Sequence, residues 1–454
     1  MAAVAKALPV KEMKVRRFLG APLVVTLFFF GMMLPTSVSV NLGGLRLSVY
    51  RFVLLFALFP MLQALISGKR GKINAFDWLA IAHSAWCMLA LEVWGGIGQG
   101  TQSGGIYVIE FLGSYLVGRI YVRSYEDFYA VARFFVGATC AMVFFTLPEA
   151  VTGIHILHDG IVKVVGGPMA PYIDKRMGLN RAFGPFDHPI LYGVFSAAAF
   201  SMAYFVIAER KLLYFKGMVQ VLGVIMATFL SASGGPYTVL ILQLFVAIWQ
   251  RGLGKTEGRW KMLAALFAAL YIGIDTLSTR NPFQVFVTYL TFSAVSGYNR
   301  ILIFQFGSAE VWRHPIFGIG LGDWIRPVYM SDSMDNFWLV VAVRYGLPAF
   351  VLLVVLLVWL ILKAGQRKGL PQTWRNARHA WAFTLFGISV AAATVHLWNS
   401  LFVLFIFLIG SGVWLIDAPL PKTKPPRPST GPRRPGIAAV SPQSAPVGAV
   451  TRFF

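Results

Sequence analysis

Three observations predict an all-α polytopic membrane protein with about twelve membrane-spanning helices. The 454-residue chain is 57% apolar and only 13% charged, well below the charged share of soluble domains. Its apolar residues recur in runs of about 20, the length a helix needs to cross the hydrocarbon core. Its basic residues gather in alternate connections, the positive-inside pattern of membrane helices.

The runs place spans at 18–36, 45–67, 76–95, 104–118, 128–147, 187–208, 212–231, 235–250, 261–278, 337–362, 380–396 and 399–416. The fourth, seventh and eighth are short or interrupted by glycine. The chain therefore divides into a cytoplasmic segment 1–17, a transmembrane domain 18–416 and a tail 417–454. The first run has the basic start and small-residue end (Ser37, Ser39) of a signal peptide. We read it as a retained span, since cleavage would leave the second span to start the alternation.

Charge tests the alternation independently. With the N-terminus inside, 29 of the 40 Lys and Arg residues fall on the inner side, against seven of the 18 acids, and this accounts for the whole net charge of +22. The charge is thus topological, and nucleic acid is excluded as the main partner. Cys87 and Cys140 lie in apolar runs, so they read as small apolar residues and not as a disulfide or zinc framework. The proline-rich tail 417–454 is expected to be a disordered cytoplasmic extension that follows the positive-inside pattern, with contact to anionic membrane lipid the lesser reading of its basic residues.

Two external loops, about 148–186 and 279–336, are longer than the rest, and long loops in compact proteins tend to carry function. The first ends in KRMGLNRAFGPFDHPILYG. Gly184 and Pro185 mark a turn there, which brings Arg176, Arg181 and His188 toward one cavity. These arginines read either as interfacial contacts to lipid headgroups or as ligands for an anion. The second loop contains a helical stretch, SGYNRILIFQFGSAEVWR. Arg300, Phe304 and Ser308 share one face of it, and Glu310 and Arg313 are spaced to pair. His314-Pro315 ends the stretch. Gly318, Gly320 and Gly322 then suggest a tight turn with exposed amides, a weak phosphate signal. Asp335-Asn336 opens the tenth span, and Arg344 lies about two turns inside it. Arg344 needs a partner, with Asp332 or Asp335 the candidates, as a structural or a catalytic pair. Glu110 in the fourth span reads as a buried glutamate bonded to a neighbouring helix or as a functional acid. No metal-ligand cluster and no nucleophile motif is evident. Arginines converging beside a carboxylate suit an anionic, phosphorylated substrate.

The order NR, helix, RHPIFGIGLG, DNFWL and RYGLP resembles the large periplasmic loop of the bacterial O-antigen ligase and polymerase family. RAFGPFDHPILYG resembles a second segment of that family, and the resemblance runs from about 100 to 416. Ligases of the family usually show His-Asn where this chain has Asp335-Asn336. The family often carries an arginine after a serine-rich segment between two central spans, where this chain has SASGGP. These departures favour a polymerase of exopolysaccharide, capsule or O-antigen repeat units over a ligase.

The resemblance implies a GT-C-like, metal-independent glycosyltransferase of the bacterial inner membrane, with both termini cytoplasmic and no cofactor. Its substrate would be an oligosaccharide on a polyprenyl diphosphate. A flippase and a chain-length regulator of the same pathway are the expected protein partners. Arg300 and Arg181 would contact the diphosphate, with Arg313, Arg344, Arg176, Asn336 and the three glycines behind them. Asp335 would act as base or orient the acceptor, with His188 and His314 as rival bases. A flippase or secondary transporter is the alternative from another class. The chain lacks the internal self-similarity common in transporters, and its polar residues gather in the outer loops.

Overall fold

The first glycine-interrupted region of the sequence sets the pattern for the fold. Asn74 caps a helix whose capping box with Asp77 satisfies its first amides. That helix, Ala75–Tyr121, breaks at Gly96 (φ +68°) and folds back on itself. His83 then meets Tyr107 at 2.8 Å, and Asp77 meets Tyr115 at 2.8 Å. The break falls between the two spans read at 76–95 and 104–118, so these are the antiparallel halves of one hairpin.

The computed structural model describes residues 15–42, 45–209, 214–279, 282, 284–285 and 294–420. The basic residues up to Lys14, Arg210 and Lys211, the part of the second loop at 286–293 and the tail beyond Leu420 lie outside the described residues. The elements that follow all belong to one unit, Met1–Ala418. In chain order the helices are α1 Leu23–Met32, α2 Val49–Ile66, α3 Ala75–Tyr121, α4 Tyr125–Thr152 and α5 Ile156–Val165. Then come α6 Pro189–Ala208, α7 Tyr214–Leu230, α8 Gly234–Gly252 and α9 Arg259–Leu277. The last four are α10 Ala294–Arg313, α11 Phe337–Gln366, α12 Gln372–Ala391 and α13 Ser400–Asp417. Two short antiparallel ribbons, 17–22 and 39–48, flank α1. Among the described residues seven helices are long and apolar enough to cross a membrane, namely α2, α3, α4, α6, α9, α11 and α13. The chain is a multi-pass, mostly helical membrane protein.

Packing between apolar helices in lipid depends on close contact more than on water exclusion. Helices α3 and α13 show this. A Cβ on Gly118 would sit 2.4 Å from the Phe407 carbonyl, and one on Gly410 would sit 2.1 Å from the Tyr115 carbonyl. Only paired glycines let these backbones touch. Around them Phe28, Phe29, Phe135, Phe195 and Phe407 form an aromatic core with ring centroids 4.9–5.8 Å apart at the closest pairs.

The charges that the sequence assigns to one side do meet one another. Asp77 accepts from Arg119 at 2.9 Å, both side chains fully buried. The remaining Arg119 donors reach the Arg70 and Lys72 carbonyls, each at 3.0 Å. This buried pair is therefore fully hydrogen-bonded, the condition under which such a pair is tolerated. Arg17 pairs with Asp127, Arg123 with Asp417, and Arg251 with Glu209. Glu110 is bonded to the neighbouring helix α2, through the Tyr50 hydroxyl at 2.8 Å and Arg51 Nε at 2.9 Å.

The first long loop begins later than expected, because α4 continues through Pro148 to Thr152. Proline is tolerated in an apolar span where neighbours satisfy the freed carbonyl.

Candidate functional site

Four segments from distant parts of the chain meet at one place: the approach to α6, the start of α8, the first half of α10 and the approach to α11. They enclose a cleft of about 250 Å³ lined by Arg176, Arg181, His188, Ser233, Asn299, Arg300 and Asp335, among others. Three guanidinium groups thus share one space with a single lining carboxylate.

Arg181 is held by its neighbours' backbone. Asn180 N–H donates to the Ala150 carbonyl and Ala182 N–H to the Leu230 carbonyl, each at 3.0 Å. The fully buried Glu149 accepts from Phe183 N–H at 2.8 Å, from Gly184 N–H at 3.1 Å and from His155 Nδ1 at 2.7 Å. So clamped, Arg181 is 8% exposed and its side chain donates to Ser233 Oγ at 2.7 Å, while its Nε is buried with no partner among the described residues. Burial, and secondarily Arg176, lowers its pKa to about 10. A buried cation with a free donor and no ion pair is an incomplete arrangement.

Arg300 comes from α10. Its Nε donates to the Thr394 carbonyl at 2.9 Å. Burial lowers its pKa, opposed by the favourable field of Asp335. His188 is the N-cap of α6, and its Nδ1 accepts from Ile190 N–H at 3.1 Å. The proton of the neutral ring must then sit on Nε2, so His188 is a hydrogen-bond donor to the cleft and not the base expected of it. Burial, then Arg181 and Arg176, hold its pKa at about 4. Ser233, Gly234 and Gly235 add the N-terminus of α8, an end whose free amides favour an anion.

The structure places the other predicted residues elsewhere. Arg313 donates to Glu310 at 2.9 Å, and Glu310, 3% exposed at its side chain, also accepts from Ile325 N–H. His314 lies 3.6 Å from the same glutamate and edge-on to Trp94. Both residues anchor the second loop and do not line the arginine cleft. Asn336 caps α11 by accepting from Leu339 N–H at 3.1 Å. The glycine turn does not expose its amides. Gly318, Gly320 and Gly322 donate to the carbonyls of His314, Arg344 and Ile319. Helix α11 breaks at Gly346 (φ +83°), which frees the Val343 and Arg344 carbonyls. The amides of Ile319 and Gly320 take these at 2.8 and 3.0 Å. A Cβ on Gly318 would stand 2.3 Å from the Val343 carbonyl oxygen, and one on Gly346 would stand 1.9 Å from the Ile316 carbonyl oxygen. The glycines serve a backbone junction.

Arg344, exposed on this half-helix, makes no ion pair with a described carboxylate. It lines a second cleft of about 610 Å³, together with Trp324, Asp332, Asp335, His396 and Trp398. Asp335 is a wall of both clefts, and its carboxylate accepts from Ser333 Oγ at 2.8 Å.

The sequence reading missed the connection 392–399. Its carbonyls at Ala392 and Val395 accept Phe337 N–H, and Thr394 holds Arg300. Asn399 has φ +48° and ψ −122°, a strained backbone for a residue with a side chain. The visible signal was the set of polar residues Thr394, His396 and Asn399 between two apolar runs. In comparisons with known proteins, no protein-family model and no curated sequence matches this chain.

Proposed function

We propose that this chain is a membrane glycosyltransferase that polymerises polyprenyl-diphosphate-linked oligosaccharide repeat units at the periplasmic face of the bacterial inner membrane. The reading rests on one observation: Asp335 is shared by a cleft bearing three arginines and by a second, larger cleft. Such a pair of spaces suits a diphosphate donor on one side and a sugar acceptor on the other. In this reading the chain has twelve spans with both termini cytoplasmic, and the loops that build both clefts lie on the periplasmic side.

In this reading Arg181, Arg300 and Arg176 hold the diphosphate, and the His188 Nε2–H and the α8 N-terminus add neutral donors. An acceptor hydroxyl oxygen attacks the anomeric carbon and gives up its proton to a base in the acceptor cleft. The bond from that carbon to the diphosphate breaks, and its electron pair leaves on the diphosphate. Stabilising that departing charge is the main task of the arginines. Asp335, set between the clefts, orients the acceptor.

The test is reconstitution in liposomes with lipid-linked oligosaccharide extracted from the native host. Longer lipid-linked glycan with released polyprenyl diphosphate is expected. Transbilayer movement without elongation would identify a flippase, and transfer to a lipid A or protein acceptor would identify a ligase. Arg300→Ala is expected to abolish elongation while the protein still inserts. Reporter fusions after residues 160 and 320 are expected to read periplasmic.

A further inference from the structure

The second cleft contains a titratable group that the proposed reaction does not yet use. His396 sits in the connection 392–399, and its ring lines the large cleft beside Arg344, Asp335 and Trp398. It also lines a smaller chamber of about 160 Å³ with Arg344, Tyr107 and Glu110. Its Nδ1 is buried and has no hydrogen-bond partner among the described residues. Unlike His188, whose tautomer the α6 cap settles, His396 makes no hydrogen bond among the described residues that would fix its tautomer.

Its position relative to the arginine cleft is set by one indole. Trp398 lies 5.9 Å from the His396 ring at an interplanar angle of 19°, and 5.8 Å from the His188 ring. The indole therefore contacts one histidine from each cleft. The same connection gives Arg300 its carbonyl partner at Thr394, so both clefts are built on one backbone segment. The large cleft combines indole, carboxylate and guanidinium groups. Indole faces cover the C–H face of a sugar ring, and carboxylates and guanidinium groups bind its hydroxyls. This lining suits a saccharide better than a lipid tail.

We propose that the large cleft binds the acceptor saccharide and that His396 is the catalytic base that takes the proton from its attacking hydroxyl. The proposal rests on the glycosyltransferase reading above. As the acceptor oxygen bonds to the anomeric carbon, its proton passes to the His396 imidazole and the diphosphate leaves with the electron pair of the broken bond. Asp335 is less suited to receive that proton, because its carboxylate already accepts the Ser333 hydroxyl and faces Arg300. The neutral imidazole has no hydrogen bond among the described residues to fix its tautomer, so the ring nitrogen on the cleft side can hold the lone pair. Arg344, Asp335, Asp332, Asp323 and Glu110 are the charged groups that line the two spaces it borders.

The test uses the full chain in liposomes with lipid-linked oligosaccharide extracted from the native host, and farnesyl diphosphate as a probe of the arginine cleft. His396→Ala is expected to slow elongation about 100-fold or more, the usual worth of a positioned base. It should leave the thermal stabilisation by farnesyl diphosphate at the wild-type level, and added imidazole should restore elongation. Elongation by His396→Ala within threefold of wild type overturns the proposal alone. So does a loss that imidazole restores neither in His396→Ala nor in His396→Gly. Absence of elongation by the wild-type protein overturns the glycosyltransferase reading, and this proposal with it.

Discussion

Arg181→Met separates a functional arginine from a structural one, because the two predict opposite changes in stability. Arg181 is 8% exposed and, among the described residues, has no ion pair and leaves its Nε without a partner. Burial lowers its pKa from the ordinary arginine range to about 10. At about 1.4 kcal/mol per pH unit, this corresponds to ~3 kcal/mol lost to the folded state at neutral pH. The substitution also removes the bond to Ser233 Oγ, a charge-assisted bond worth about 1.5–3 kcal/mol. Methionine retains most of the apolar stem, and Ser233 Oγ still donates to the Ser231 carbonyl at 2.9 Å. The sum is therefore near zero or up to ~1.5 kcal/mol stabilising, and the thermal midpoint in detergent is expected to hold or rise. Ligand binding is expected to move the other way. Truncating one partner of a buried charge contact costs about 2 kcal/mol or more, so the Kd for farnesyl diphosphate should rise about 30-fold or more. A variant destabilised by 3 kcal/mol or more, with its farnesyl diphosphate affinity intact, would refute the reasoning.

Glu149→Ala is expected to destabilise strongly, by about 3 kcal/mol, because the buried amides of Phe183 and Gly184 lose their acceptor. A thermal midpoint equal to wild type would show that this clamp does not hold the Arg181 segment. Gly346→Ala puts a methyl group 1.9 Å from the Ile316 carbonyl oxygen at φ +83°. A cost of ~3 kcal/mol or more follows from conformation and overpacking together, and chemical denaturation in mixed micelles measures it. Acid should also destabilise the protein. His188 and His396 have a pKa of about 4 in the fold, against 6.5 ordinarily. Burial is the main cause at both, with Arg181 and Arg176 adding at His188 and Arg344 at His396. Between these values the unfolded chain binds more protons than the folded one, so their contribution is complete above pH 6.5 and is lost as pH falls toward 4. Thermal unfolding across that range should show a steeper decline in wild type than in His188→Asn/His396→Asn, and parallel profiles would remove this explanation.

Hydropathy made much of the bundle legible, because a helix in lipid must be long and apolar to satisfy its own backbone. The charge pattern groups Asp77, Asp127, Glu209 and Asp417 with the basic connections, and each of these acids does pair with an arginine of that group. The grouping of Arg176, Arg181 and His188 could also be expected, since the turn at Gly184-Pro185 is local.

Tertiary structure decided which distant residues share a space. Nothing in the spacing shows that Arg300 would join Arg181, or that Ser233 would orient it. Those contacts depend on how α6, α8 and α10 pack. The glycines after His314-Pro315 show the limit most clearly. In sequence a GxGxG segment after a helix resembles an anion loop. In the fold the same glycines let one backbone satisfy the carbonyls released where α11 breaks at Gly346. A glycine permits a close approach, and only the packed chain determines what approaches.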